Sequence, residues 1–310
     1  MTTSAPTPEA LSVLKPSVHG LVRALYRHAP QPEWPESTHR ARYEEAAATR
    51  PTARSVRVEP VLLAGMDAEW LLPAEVRSEQ VIVYLHGGGF IMGSLATTRP
   101  LATHLALATG RRVLVLDYPL APEVTFPGQH TAILPALLEL DRRQGGRNPL
   151  VLAGDSAGGA LALGAERAVR EIPGRRPAIT ALVMLSPLLD LRLVAPSIDA
   201  NAPYDPQLPR WLLQRMVTAY LGSRSPSDPA ASAVLGPLHG LPPTLVQASP
   251  NEGLAGDAQL LADRARRAGA SVDSQWWDGM IHVWHAFAPR LPEASGALAA
   301  VGAFLDEAAA

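Results

Sequence analysis

The sequence predicts a doubly wound α/β fold, and three observations carry that prediction. Apolar strand-like runs alternate with helix-like runs from about residue 54 to the C-terminus, the pattern of a sheet covered by helices on both faces. The runs Val81-Ile82-Val83 and Val113-Leu114-Val115-Leu116 are continuously apolar rather than alternating, as parallel strands buried on both faces require. The segment Gly154-Asp155-Ser156-Ala157-Gly158-Gly159 joins the apolar run 149–153 to the Ala/Leu-rich stretch 160–169. That is a strand–turn–helix setting for G-x-S-x-G.

The elements follow in order. Leu11, Leu14, Val18, Leu21, Val22 and Leu25 recur at near-helical spacing, which predicts a helix over 9–28. Pro30, Pro32 and Pro35 end it before a second helix over 37–48. Residues 54–60 and 68–72 read as two opening strands, followed by strand 81–85, helix 97–109, strand 112–117 and helix 128–143. Strand 149–153, helix 156–170 and strand 179–185 continue the alternation. Between about 191 and 240 it stops. There, proline-rich turns surround one strong helix, 206–221, bearing Trp211, Leu212, Met216, Val217, Tyr220 and Leu221. Strand 244–248, helix 255–268, strand 271–277 and a final helix 293–308 complete the sheet.

Composition narrows the class. The 310 residues suffice for one α/β domain of about 250 residues and a small accessory element. A formal charge of −2 without a basic stripe argues against nucleic-acid partners. No apolar run reaches the roughly 18 residues of a membrane span, so no membrane partner is expected. The opening Met1-Thr2-Thr3-Ser4-Ala5-Pro6 lacks the basic and apolar regions of a signal peptide, and a cytoplasmic protein is expected. With no cysteine, disulfides, a thiol nucleophile and cysteine-held metals are excluded. His282 and His285 are three apart but belong to no H-E-x-x-H helix, so neither metal nor cofactor is expected.

A serine hydroxyl becomes a nucleophile through geometry. Gly154 and Gly158 permit a sharp, strained turn that lifts Ser156 to the top of a sheet. The helix after it points free N–H groups at developing negative charge. Upstream, His86-Gly87-Gly88-Gly89-Phe90 closes the apolar run 81–85. Consecutive glycines let backbone N–H groups approach a ligand without side chains in the way. The N–H groups of Gly88, Gly89 and Ala157 are therefore candidate oxyanion donors, each worth roughly 2.7–4 kcal/mol to an acyl-transfer transition state. A phosphate-cradling loop is the competing reading. Neither a G-x-G-x-x-G with its acidic partner nor a Walker-type lysine supports it.

HGGGF at 86–90, the segment Asp117-Tyr118-Pro119-Leu120-Ala121-Pro122-Glu123, GDSAGG at 154–159 and Gly279-Met280-Ile281-His282 occur in this order. From about residue 55 onward the chain thereby resembles the hormone-sensitive lipase family of α/β-hydrolases. The resemblance implies a mostly parallel eight-stranded sheet flanked by helices, with the catalytic domain over 51–190 and 226–310. It also implies a helical cap built from 1–50 and 191–225. The implied activity is that of a serine carboxylesterase on short-to-medium acyl esters. A lactone hydrolase or natural-product deacetylase using the same triad is the alternative. A silent small-molecule-binding relative is a further reading, disfavoured by the retained His282 and the whole serine elbow.

In α/β-hydrolases the triad follows the chain order Ser, acid, His. His282 lies just beyond strand 271–277, and the Gly-Met-x-His match selects it over His285. The acid departs from the family pattern: in Ser249-Pro250-Asn251-Glu252, Asn251 occupies the usual Asp position. An uncharged Asn cannot stabilise an imidazolium. Glu252 is the expected acid, with one extra methylene of reach; Asp257, near the start of the next helix, is the alternative. Pro119 also departs, standing where the family commonly has Arg, and Asp155 reads as a turn-stabilising residue. Phe90, Trp34, Trp211, Met216 and Tyr220 either line a compact substrate pocket or glue cap to core. The expected partner is a small ester or lactone, and an edge strand or the C-terminal helix offers a homodimer surface.

Overall fold

The computed structural model describes residues 5–309. Three helices precede the sheet: α1 (Pro8–Ser12), α2 (Pro16–Arg27) and α3 (Glu36–Ala48). The alternating part opens with β1 (Val56–Leu63), β2 (Met66–Pro73), β3 (Val81–Leu85), α4 (Leu95–Thr109) and β4 (Arg112–Leu116). It continues through α5 (Gly128–Arg143), β5 (Leu150–Asp155), α6 (Ala157–Arg170) and β6 (Ile179–Leu185). Next come α7 (Ser197–Ala200) and α8 (Arg210–Leu221), then β7 (Thr244–Ala248), α9 (Ala255–Arg267), β8 (Val272–Trp276) and α10 (Pro292–Ala308).

All eight strands form one sheet in the order β1-β2-β4-β3-β5-β6-β7-β8. The β1–β2 hairpin is antiparallel, β2 meets β4 antiparallel, and every pairing from β4 across to β8 is parallel. The strand order reverses between β3 and β5, and ligands bind beyond the carboxyl ends of strands at such a switch point. The glycine loop follows β3 and the serine elbow follows β5, so topology alone brings the two motifs together.

The continuously apolar strands serve two cores. Val81, Val83, Leu85, Leu114 and Leu152 pack on one face beneath Ile133 and Leu137 of α5 and Leu161 of α6. Ile82, Tyr84, Val113, Val115 and Val151 pack on the other, beneath Leu101 and Leu105 of α4 and Leu298 and Val301 of α10. Among the described residues, no helix is long and apolar enough to cross a membrane.

Two helix boundaries differ from the periodicity. The helix expected over 9–28 is split, because Pro16 has no N–H to continue it and Lys15 before it is extended, at φ −64°, ψ 142°. The break frees the Lys15 N–H to donate to Gly279 O at 3.1 Å, tying the N-terminus to the loop that carries His282. The helix expected from 206 begins at Arg210, since Pro206 and Pro209 hold the preceding chain out of helical conformation. The N-terminal helices meet the segment 191–225: Arg215 of α8 donates to Glu36 Oε1 at 2.9 Å and to Trp34 O at 2.8 Å, and Tyr26 donates to Pro203 O at 2.6 Å.

Candidate active site

Ser156 sits between β5 and α6 at φ 51°, ψ −121°, a backbone conformation that costs a non-glycine residue energy and is held only by its surroundings. Its N–H donates to Leu185 O, and its carbonyl accepts from Leu188 N, both at 2.9 Å. The glycines make the turn fit. A methyl group on Gly154 would lie 2.6 Å from Leu85 O, and one on Gly158 would collide with the same carbonyl. Thus both elbow glycines are required by the approach of β3. Ala157 opens α6, where first-turn N–H groups have no helical acceptor.

The glycine loop is held from three directions. Asp155, beside the serine, accepts from Gly87 N and Tyr84 OH through Oδ1, both at 2.9 Å. It therefore fastens the loop to the elbow rather than bracing the elbow's own turn. His86 stacks on Tyr118 with ring centroids 4.2 Å apart, and burial holds its pKa down to about 4, so it stays neutral. Arg40 of α3 donates to Ile91 O at 2.7 Å, to Ala121 O at 2.9 Å and to both Glu123 oxygens. The cation facing Glu123 thus comes from an N-terminal helix, in a chain that carries Pro119. Gly88 and Gly89 adopt φ +110° and +62°, and a side chain on Gly89 would strike the thioether of Met216.

His282 Nδ1 donates to Glu252 Oε2 at 2.9 Å, which leaves Nε2 facing away from the carboxylate. The second oxygen of Glu252 accepts from Ser249 N at 3.0 Å, and its side chain is wholly buried. Burial disfavours the imidazolium, but the Glu252 bond and the Glu252, Asp205 and Asp155 charges outweigh it, leaving the His282 pKa above 6.5. The two loops are also stitched by backbone-directed bonds. Ser249 Oγ donates to Met280 O at 2.8 Å, and Gly279 N donates to Asn251 Oδ1 at 2.9 Å. Asn251 therefore bonds the histidine loop's backbone. Asp257 lies elsewhere, accepting from Leu189 N and Asp190 N at 2.6 and 2.9 Å. His285 is buried against Gln247 Oε1 at 3.0 Å, with its pKa pushed down to about 3 by burial.

Several residues that hold these loops carry no sequence motif. Ser186 Oγ accepts from Val283 N at 3.1 Å. Asn201 donates to Pro250 O and Glu252 O at 2.8 Å, and Gln207 donates to His282 O at 3.1 Å. Nothing local could have singled them out, because their partners lie 49 to 97 positions away.

Gly88, Gly89, Ser156 and His282 line one cavity, walled by Leu25 of α2, Trp34 of the connection after it and Tyr43 of α3, and by Leu208, Leu212 and Met216 from the later segment. Of the five candidate lining residues, Trp34 and Met216 are there; Phe90, Trp211 and Tyr220 are not. At φ 67° Phe90 turns inward and stacks on Tyr220, centroids 3.8 Å apart and both rings buried. Trp211 packs against the core and faces the His39 ring at 6.1 Å. Asp205, Glu252 and His282 offer ligand atoms within 4.8 Å of one another, a grouping from three distant segments that sequence spacing could not reveal. Within that grouping Glu252 and His282 already hydrogen-bond each other.

Comparison with known proteins identifies the family and the fold. The family model described as alpha/beta hydrolase fold matches residues 82–286. The chain is 38% identical over 241 residues to an acetyl-hydrolase of Streptomyces hygroscopicus, covering 78% of this chain and 80% of that one. It is 35% identical over 255 residues to an esterase of Acinetobacter venetianus, covering 82% and 83%. The crystal structure of an esterase from the bacterial hormone-sensitive lipase family superposes with a TM-score of 0.89 at 38% identity, over 94% of this chain and 98% of that one. The structure of EstE5 soaked with p-nitrophenyl butyrate gives 0.88 at 34% identity, over 95% and 99%. With a family model matched over most of its length and relatives of this kind sharing both its sequence and its scaffold, the chain belongs to the hormone-sensitive lipase family of esterases with the alpha/beta hydrolase fold.

Proposed function

We propose that the protein is a carboxylesterase that cleaves short-to-medium acyl esters of small molecules through a Ser156–His282–Glu252 triad. The observation that carries this reading is the 2.9 Å bond from His282 Nδ1 to Glu252, with His282 and Ser156 on one cavity. Nε2 of His282 accepts the Ser156 proton as Oγ attacks the ester carbonyl, and the Gly88, Gly89 and Ala157 N–H groups stabilise the oxyanion. The imidazolium then protonates the leaving alkoxide. Water activated by the same nitrogen releases the acid from the acyl-enzyme. Glu252 fixes the tautomer and stabilises the positive ring throughout.

Residues 5–50 and 191–225 act together as the cap, residues 1–4 of the expected cap lying outside the described residues, and Trp34 and Met216 set how long an acyl chain the cavity admits. Met216 rests against the glycine loop, which favours a short chain. The Streptomyces relative is named an acetyl-hydrolase, which supports a small acyl group. A series of p-nitrophenyl esters tests the proposal: butyrate should be cleaved with clearly higher kcat/KM than decanoate. Ser156→Ala should lower kcat by at least about 10⁴-fold. Hydrolysis that survives in Ser156→Ala would overturn the mechanism.

A further inference from the structure

Asp205 is a carboxylate that the mechanism above leaves idle. It lies between α7 and α8, within the segment that bears Asn201 and Gln207, and its side chain is buried. Among the described residues Oδ1 has no hydrogen-bond partner, and Oδ2 is reached by Gly253 N at a long 3.5 Å, with the Gln207 backbone N–H also favouring the carboxylate. A buried carboxylate so weakly hydrogen-bonded is costly, so its position needs a further compensating interaction. That interaction is at hand: an Asp205 oxygen lies within 4.8 Å of both a Glu252 oxygen and a His282 ring nitrogen. The same segment grips both loops, Asn201 at the carbonyls of Pro250 and Glu252 and Gln207 at that of His282.

We propose that Asp205 is a positioning residue of the triad, a second carboxylate that stabilises the His282 imidazolium and makes the segment 201–207 part of the charge-bearing machinery. The inference rests on the Ser156–His282–Glu252 reading and deepens it. Burial raises the Asp205 carboxyl to about 6, the His282 charge pulls it down and Glu252 pushes it up. Above that pH the carboxylate is ionised and favours the charged ring, as the raised pKa of His282 reflects.

The other titratable groups around the pair define the background. Asp155 on β5 adds negative charge towards His282, and His285, kept neutral by burial, feels the His282 charge. Tyr26 of α2 faces Asp205, and Asp257 of α9 faces Glu252. Changing Asp205 to Asn also removes its upward push on Tyr26, whose phenol is neutral with or without it over the pH range of the acid limb, so the substitution changes one charge.

The test is the pH profile of kcat/KM for p-nitrophenyl butyrate in wild type, Asp205→Asn and Asp205→Glu. General-base action requires neutral His282, so activity falls as pH drops through its pKa. Removing the Asp205 charge should move that acid limb to lower pH. It should also lower plateau kcat by about tenfold, the equivalent of one pKa unit, with KM little changed. Asp205→Glu should restore the limb. An Asp205→Asn limb that coincides with wild type overturns the proposal, even if kcat falls, because a merely structural role leaves the limb in place.

Should Asp205→Asn not fold, wild-type protein labelled with ¹⁵N-histidine supplies the readout. The His282 resonance should titrate with two inflections, its own and that of the coupled carboxylate; a single inflection overturns the proposal. Failure of the triad itself is distinguishable, since it requires Ser156→Ala or His282→Ala to remain active.

Discussion

At Gly158 one added methyl group would drive into the Leu85 carbonyl, so the G-x-S-x-G pattern is a packing requirement between β3 and α6 before it is a catalytic signature. This explains why the position of the proposed nucleophile was readable from so few residues: strand, turn and helix are all local. The carboxylate was harder, because Asn251, Glu252 and Asp257 lie within seven positions and only loop geometry distinguishes them. Glu252 reaches His282, Asn251 is spent on Gly279 N, and Asp257 is spent on the backbone after β6. Glu252→Gln keeps an acceptor for Nδ1–H but loses the charge that stabilises the imidazolium. It should lower kcat of the p-nitrophenyl butyrate reaction by about 10³-fold or more, while Asp257→Asn should turn over close to wild type. Steady-state kinetics of the two variants decide between the carboxylates, and near-normal turnover by Glu252→Gln would remove it from the triad.

At the scale of elements, the legible features were those set by period. Continuously apolar runs marked strands buried on both faces, and the two cores of the sheet follow from them. What a helix or loop presents to a cavity was not legible, because side-chain direction depends on what packs behind it. Tyr220 is one turn beyond Met216 on α8, yet it stacks on Phe90 in the core while Met216 meets the glycine loop. The hydrophobic spacing on α8 is the same for both fates. Met216 is buried where α8 crosses the cavity, so Met216→Ala should open space beside Gly89. The decanoate-to-butyrate ratio of kcat/KM should rise about tenfold or more, at a stability cost of about 2 kcal/mol in urea unfolding. An unchanged chain-length preference would remove α8 from the determinants of specificity.

The whole molecule buries ionisable groups of both kinds, and their effects on stability oppose one another. Burial pushes His86 and His130 down to about 4 and His285 to about 3. Below pH 6.5 the unfolded chain takes up protons that the folded one refuses, so these three weaken the fold as pH falls. Asp257 and Asp205 act in the other sense. Burial raises them to about 7 and about 6, against about 3.9 in an unfolded chain. Between those limits the folded protein holds protons that unfolding releases, so these two weaken the fold as pH rises. Asp257 can be removed from this balance alone, because Asn has the shape of its protonated form and can keep an acceptor for Leu189 N and Asp190 N. Relative to wild type, Asp257→Asn should gain about 1.4 kcal/mol of stability for each pH unit climbed between pH 5 and 6. The gain should level off above about pH 7, where Asp257 is ionised in both states. Urea unfolding of both proteins at pH 5, 6 and 8 measures this directly. Parallel pH dependences would mean that the Asp257 carboxyl is ionised in the fold throughout, held by its two backbone donors against the cost of burial.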